Sequence, residues 1–329
     1  AFFIESRWED LLRNLFLTGA SGCLGHYVLE RLAQQRDPEF PERPAYHLYV
    51  LIRETSRLRL PLERLPAPIT LVPGDLLRIR EHAALLRQMD GLIHMAAAWG
   101  DPALAWAVNV THTLELFQLL DPERCQQVIY FSTASLLNQD LEPLAIAGRA
   151  GTDYIRSKYE MLLRRQESGF WPERLLTLYP TLLFGGSPHH PYSHITAGLK
   201  DVLRWLDLIR FLRVDASFHF IHAADVAEMV AHWVAHPPGA GDWVLGNSPL
   251  SLDECVEQVC AYFKKRIYFR VPLPLALVRG LAFLFRVRLS EWDEYCLRQR
   301  HFVYPAISPE TLGLRCHFPT VASLLDTYL

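Results

Sequence analysis

The stretch LFLTGASGCLGHYVL, residues 15–29, decides how the rest of the chain is read. It opens as a short apolar run that stops at glycine, which predicts a buried strand. From Leu24 the apolar residues recur at helical spacing. Between the two lie Gly19, Gly22 and Gly25 in the spacing GxxGxxG. A tight turn at Gly19, close backbone approach at Gly22 and close packing of helix on strand at Gly25 each require a missing Cβ. The start of a helix, with free N–H groups and a partial positive charge, suits a pyrophosphate. Gly19, Ser21, Gly22, Cys23, Leu24 and Gly25 therefore form a candidate dinucleotide cradle, and the strand before and helix after separate it from a chance glycine trio.

Downstream, strand-like runs recur at YHLYVLI, ITLVPG, GLIHMAA, QQVIYFS and RLLTLYPTLLF. Helical stretches separate most of them, over residues 79–88, 102–120 and 154–169. Strands alternating with helices predict an α/β fold, a Rossmann-type doubly wound parallel sheet. After about residue 185 the pattern loosens, which predicts a smaller, discontinuous C-terminal substrate lobe. The expected division is a dinucleotide-binding domain over 13–184, with 218–248 returning to it, and a lobe made of 185–217 and 249–329. Within the returning part, FHFIHAADVAEMVAHWV is expected to bring a strand and a helix back to the main sheet.

The totals narrow the function. A chain of 329 residues, half of them apolar and with a formal net charge of -3, is globular and unsuited to nucleic acid as a main partner. Its six cysteines form no CxxC pair, which fits reduced thiols and a cytoplasmic location. The first twelve residues do not read as a signal peptide. VPLPLALVRGLAFLFRV, residues 271–287, is the most membrane-like segment, but two arginines, two prolines and a glycine keep it short of about 20 continuous apolar residues. A buried helix is expected there. Membrane association stays open but is not favoured, and so does a homodimer.

The tip of the second strand identifies the dinucleotide. A carboxylate there suits the ribose hydroxyls of NAD, whereas an arginine suits a 2′-phosphate. Arg53 occupies the tip, so NADP is expected, with Glu54 keeping NAD open. In GDL, after the third strand, Asp75 is placed to meet the adenine amino group.

YIRSK, residues 154–158, sets Tyr154 and Lys158 on one face of a helix. A phenol near pKa 10 is a poor acid–base group at neutral pH. A neighbouring ammonium favours the phenolate, so Lys158 is expected to lower the Tyr154 pKa.

With these motifs assembled, the chain resembles the extended short-chain dehydrogenases/reductases, which include the NAD-dependent epimerases and dehydratases, the dihydroflavonol reductases and the 3β-hydroxysteroid dehydrogenases. The resemblance runs from about residue 14 to 327. It rests on TGASGCLG, GDL, HMAA, NVTHT, YFSTASLL, YIRSK, YPTLLFG and HFIHAADVA in that order. It implies that Tyr154 is the acid/base and that Lys158 holds the nicotinamide ribose. A hydroxyl from STASLL, Thr133 or else Ser132, would bind the substrate oxygen, and Asn109 would stand behind the site. Leu76, Ala96, Ala97, Pro180 and Thr181 would line the cofactor. Two departures matter. Phe218 and His219 stand where sugar-nucleotide members carry an Arg–Asp pair, and Leu136, Leu137 and Asn138 replace the usual valine–tyrosine–glycine.

The expected function is therefore NADP-dependent hydride transfer to or from a carbonyl or secondary alcohol. A lipophilic small molecule is favoured as substrate because Phe184, Tyr192, Trp205, Phe218 and Phe220, backed by the segment from Val271, promise an apolar wall. A sugar-nucleotide epimerase or dehydratase retaining its cofactor, and a non-catalytic NADP-binding subunit, are the alternatives. SPHHPYSH offers His189, His190 and His194, but no evident fourth ligand, so no metal is expected. His94 is expected to be a packed core histidine.

Overall fold

A computed structural model describes residues 13–170, 172–274, 279 and 289–328. Seven strands form one parallel sheet: β1 (Arg13–Thr18), β2 (Tyr46–Ile52), β3 (Ile69–Pro73), β4 (Gly91–His94), β5 (Gln127–Phe131), β6 (Leu175–Pro180) and β7 (Gly241–Leu245), in the order β7-β6-β5-β4-β1-β2-β3. The order reverses at β1, so the crevice beyond the carboxyl ends of β1 and β4 is where a ligand binds in such a sheet.

Both faces of the sheet are buried, which is why its strands read as near-continuous apolar runs. Along β1, Leu15 and Leu17 point to one layer and Phe16 to the other. Among the described residues the helices of nine or more residues are α1 (Cys23–Ala33), α2 (Asp153–Arg164), α3 (His194–Arg204), α4 (Ala223–Ala235), α5 (Leu252–Tyr262) and α6 (Glu291–Gln299). Val28, Leu29 and Leu32 of α1 and Val226, Val230 and Trp233 of α4 fill the first layer. Val110, Leu116, Phe117 and Met161 fill the second.

Three elements differ from the sequence reading. Residues 79–88 form a 3-10 helix, Leu76–His82, and a single α-turn, Ala83–Leu86, because the Asp75 carboxylate caps the Leu77 N–H and starts the helix early. The expected helix over 102–120 runs to Gln118 and widens to a π-helical turn over Ala107–Thr111. Phe220–His222 pairs with Leu182–Phe184 rather than with the main sheet, and Gly241–Leu245 supplies the seventh strand. That strand is hard to read in advance, since only Val244 and Leu245 of it are fully buried.

The apolar segment 271–287 lies largely outside the described residues. Its start, Val271–Pro272, pairs with Leu212–Arg213. Among the described residues no helix is long and apolar enough to cross a membrane.

Candidate active site

The glycine turn separates into three demands. Gly19 has φ +76°, and a Cβ there would lie 2.5 Å from the Ala96 backbone nitrogen. A Cβ at Gly25 would overlap the Gly19 carbonyl and sit 2.5 Å from Ala20 Cα. The fold itself excludes side chains at both. Gly22 is different: it is exposed, its φ is -82°, and a Cβ would meet only Gly19 O at an ordinary 3.4 Å. It is the N-cap of α1 and offers no side chain to the first-turn N–H groups. The cradle thus leaves open backbone donors at a helix start, which fits a dinucleotide pyrophosphate. Ser21, Cys23 and Leu24 complete it.

At the other end of the expected cofactor path, Arg53 is 62% exposed and its guanidinium lies 3.7 Å from the Asp75 carboxylate. Glu54 is turned away onto Arg57, at 3.1 Å. The structure therefore brings Arg53 and Asp75 together and occupies the carboxylate that kept NAD open. Leu76 is buried in the core, so only its backbone can face a cofactor. Ala96 packs partly on that core, while Ala97, Pro180 and Thr181 line the large cavity described below.

Tyr154 and Lys158 share a face of α2, whose start is fixed by Thr152 accepting from Ile155 N. Their electrostatics differ from expectation. Lys158 is fully buried, and its Nζ donates to Phe131 O at 2.8 Å and Tyr130 OH at 3.2 Å. It stands 6.0 Å from the centre of the Tyr154 ring. Burial pushes the lysine amine down to about 7 and the Tyr154 phenol up to about 12. The lowered phenol that the spacing suggests is thus not found, because the ammonium is committed elsewhere and desolvation dominates.

Asn109 is held within the π-helical turn, where it joins two elements. Its Oδ1 accepts from Ala98 N at 2.9 Å, and its Nδ2 donates to Ala98 O and to Ser157 Oγ. Ser157 in turn donates to the Tyr154 carbonyl. Asn109 therefore ties the segment after β4 to the turn that carries Tyr154. The two candidate hydroxyls separate: Thr133 borders the cavity and caps the turn Ala134–Leu136, whereas Ser132 is buried behind it against Tyr130.

The cavity measures about 1040 Å³ and its lining is mainly apolar. Tyr154, Thr133 and Ser135 are among its polar lining, with Asp153, His194 and Arg300; Trp99, Phe218, Trp292, Phe302 and Tyr304 supply aromatic walls. Of the aromatic residues expected from the sequence, only Phe218 lines it. Phe220 is buried in another cluster with Phe184 packed on it, and Tyr192 and Trp205 are exposed elsewhere. Trp99 was missed by sequence reasoning. It lies edge-on to Tyr154, 6.5 Å between centroids, and 5.6 Å from His194. Its position after HMAA is the only available signal; Trp292, Phe302 and Tyr304 give none.

The histidines diverge. His190 is buried, stacks on Tyr27 at 4.0 Å and bonds Ser187 and Glu30. His194 lines the cavity, and His189 is exposed. Among the described residues no cluster could hold a metal ion. His94 bridges Thr18 and Thr113 at 2.7 and 2.8 Å, and burial drives its pKa far down, as a packed core histidine requires. His219 accepts from Tyr304 N and bonds Asn247 O, so it braces the cavity wall at the place where the resemblance puts the Asp of sugar-nucleotide members.

Comparison with known proteins agrees with this fold. The model of the NAD dependent epimerase/dehydratase family matches residues 15–246. No curated protein matches the chain. Among solved structures, the terminal R domain from the myxalamid PKS-NRPS biosynthetic pathway is 23% identical, with 96% of this chain and 89% of that one covered and a TM-score of 0.67. A UDP-glucose-4-epimerase from Stenotrophomonas maltophila, with bound NAD and formylated UDP-arabinopyranose, is 19% identical over 96% and 97% of the two chains, with a TM-score of 0.63. The Bordetella bronchiseptica enzyme WbmG, in complex with NAD and UDP, is 13% identical over 95% and 93%, with a TM-score of 0.60.

Proposed function

The chain belongs to the NAD-dependent epimerase/dehydratase family, and from that premise we propose that it is an NADP-preferring oxidoreductase acting on a carbonyl or secondary alcohol of a lipophilic small molecule. The observation that carries this reading is the cavity of about 1040 Å³ in which Tyr154 and Thr133 border aromatic walls. A diphosphate buried there would need charged or backbone donors to offset its desolvation, whereas an apolar body needs only shape.

When bound, the nicotinamide supplies or accepts the hydride. Tyr154 gives its hydroxyl proton to the substrate oxygen in reduction and takes it back in oxidation. Thr133 donates a hydrogen bond to the same oxygen. Lys158 leaves part of its contact with Tyr130 to meet the ribose hydroxyls, and any approach of its ammonium to Tyr154 favours the phenolate. Arg53 pairs with a 2′-phosphate. The division proposed from the sequence, with 185–217 and 249–329 as the substrate lobe, assigns His194, Ile195, Trp292 and Tyr304 to the lobe's side of the cavity.

A second reading, a sugar-nucleotide epimerase or dehydratase, draws support from Arg300, a cation on the cavity wall that could meet a diphosphate. Hydrophobic ketones assayed against UDP- and dTDP-sugars, with NADPH absorbance and product analysis, separate the two. Reduction of a ketone supports the first reading, and conversion of a nucleotide sugar with no ketone reduced supports the second.

A further inference from the structure

Beyond the cavity mouth, the structure exposes apolar side chains that the cavity does not use. Val202, Trp205 and Leu208 recur every three residues along α3 and the turn after it, and all are exposed, Trp205 to 64%. Phe211 continues the row, and Phe269 stacks on it at 4.9 Å. The two segments are tied by Val271 N donating to Phe211 O and by the pairing of Val271–Pro272 with Leu212–Arg213. Tyr268 and Phe269 are 74% and 60% exposed. This face adjoins the cavity: Ile195 on α3, Val214 after Arg213 and Leu273 after Pro272 all line it.

The face is also basic. Residues 194–213 and 263–274 hold eight lysines and arginines against two aspartates, in a chain whose formal net charge is -3. Asp253 and Glu257 of α5 reach in to pair with Arg213 and Arg270. Three of the chain's four lysines, Lys200, Lys264 and Lys265, lie in these segments. Lys264 holds φ +55° just beyond the end of α5, a left-handed position that glycine usually takes where a helix ends this way.

We propose that this face docks on an anionic bilayer surface, with Trp205, Leu208, Tyr268 and Phe269 in the interfacial layer and the surrounding cations on the headgroups. A second copy of the chain would bring the same basic rim against itself, which disfavours that occupant. The proposal takes from the proposed function only that the cavity receives a lipophilic molecule, which such a surface would deliver at the cavity mouth.

Cosedimentation with vesicles tests it, using phosphatidylcholine alone and phosphatidylcholine with phosphatidylglycerol in equal parts. Binding is expected to the anionic vesicles, weakening as salt is raised. Lys264→Glu with Arg266→Glu should weaken it more than tenfold, at about fivefold or more per cation. Trp205→Ala with Phe269→Ala should also weaken it, with the melting temperature of each variant checking its fold. Absence of binding at low salt overturns the proposal, as does binding that neither pair of substitutions changes. A dimer seen in light scattering that Trp205→Ala with Phe269→Ala dissolves would give the face to a second copy instead, and also overturns it. The assay contains no substrate or cofactor, so failure here leaves the oxidoreductase reading standing.

Discussion

The turn between β1 and α1 and the wall of the large cavity lie at the same end of the sheet but are built in opposite ways. The turn is a local device. Gly19, Gly22 and Gly25 answer to a left-handed φ, an open backbone and a close helix approach within seven residues, so their spacing carries their function. The wall is a collective one. Trp99, Thr133, Tyr154, His194, Phe218, Trp292 and Tyr304 meet across just over two hundred residues of chain, and no spacing links them. A substitution at Gly19 or Gly25 should therefore disturb the fold and the cofactor together, and one in the wall away from Tyr154 and Thr133 should change only what the cavity accepts.

The largest effect is expected at the wall's own acid/base group. Tyr154→Phe removes one hydroxyl and keeps the ring against Trp99. Turnover of an identified substrate should fall about 10² to 10⁴-fold, the range for a lost acid/base group, while cofactor affinity stays near wild type. Retention of wild-type turnover would detach the wall from the chemistry.

A paired comparison tests the contrast directly. Gly25→Ala forces α1 away from Gly19 and Ala20, backbone atoms that cannot rotate aside. Stability should fall by about 2–3 kcal/mol in urea unfolding, as for an overpacked core site, with weakened cofactor binding. Trp99→Ala, at an exposed position, should cost no more than about 0.5 kcal/mol of stability yet raise KM for the lipophilic substrate. Equal losses of stability would erase the distinction between a local turn and an assembled wall.

Lys158 offers a pH-dependent test. Its amine is pushed by burial to about 7, below the ordinary lysine value, so between that pH and about 10 the unfolded chain binds more protons than the folded one. Stability from this group is then fully present above the unfolded pKa and is lost as pH falls through 7. The wild type should gain of the order of 1 kcal/mol per pH unit across that window relative to Lys158→Met, read by chemical denaturation. With only four lysines in the chain, the Nζ resonance can be followed as well. A titration near 10 would mean that the amine is solvated and free of Phe131 and Tyr130.

What the sequence made legible follows the same division. The parallel sheet, the glycine turn, the Tyr154–Lys158 face and the positions of Arg53 and Asp75 after β2 and β3 could all be placed because each depends on residues a few positions apart or on a strand end. The environment of Lys158 could not be read, since Tyr130 and Phe131 reach it from β5, and burial, which no local spacing shows, raises the Tyr154 pKa instead of lowering it. The aromatic wall was anticipated in kind but misassigned in detail. Phe220 and Phe184 turned to a separate cluster with Leu206, Val256 and Leu324, and their place was taken by Trp292, Phe302 and Tyr304, brought in by the last seventy residues. Periodicity says that a side chain is buried; it does not say which of several interiors buries it.

The smallest expected effect lies at the outer end of the turn's own cofactor path. Arg53 is the residue on which NADP preference is argued, yet it is mostly exposed and shares its charge with Asp75 at 3.7 Å. Solvent screening limits what such a group contributes. A charge-assisted pair with a 2′-phosphate is nevertheless shorter and stronger than one with a ribose hydroxyl. Arg53→Ala should therefore weaken NADPH binding by about fivefold to tenfold and leave NADH binding nearly unchanged, measured by fluorescence titration of both. Asp75→Asn releases the arginine from its carboxylate and should sharpen the preference for NADPH rather than narrow it. Glu54→Gln should change little, because that carboxylate is already held by Arg57. Equal affinities of the wild type for the two cofactors would remove Arg53 from this role, while the glycine cradle, which meets only the pyrophosphate, would keep its own.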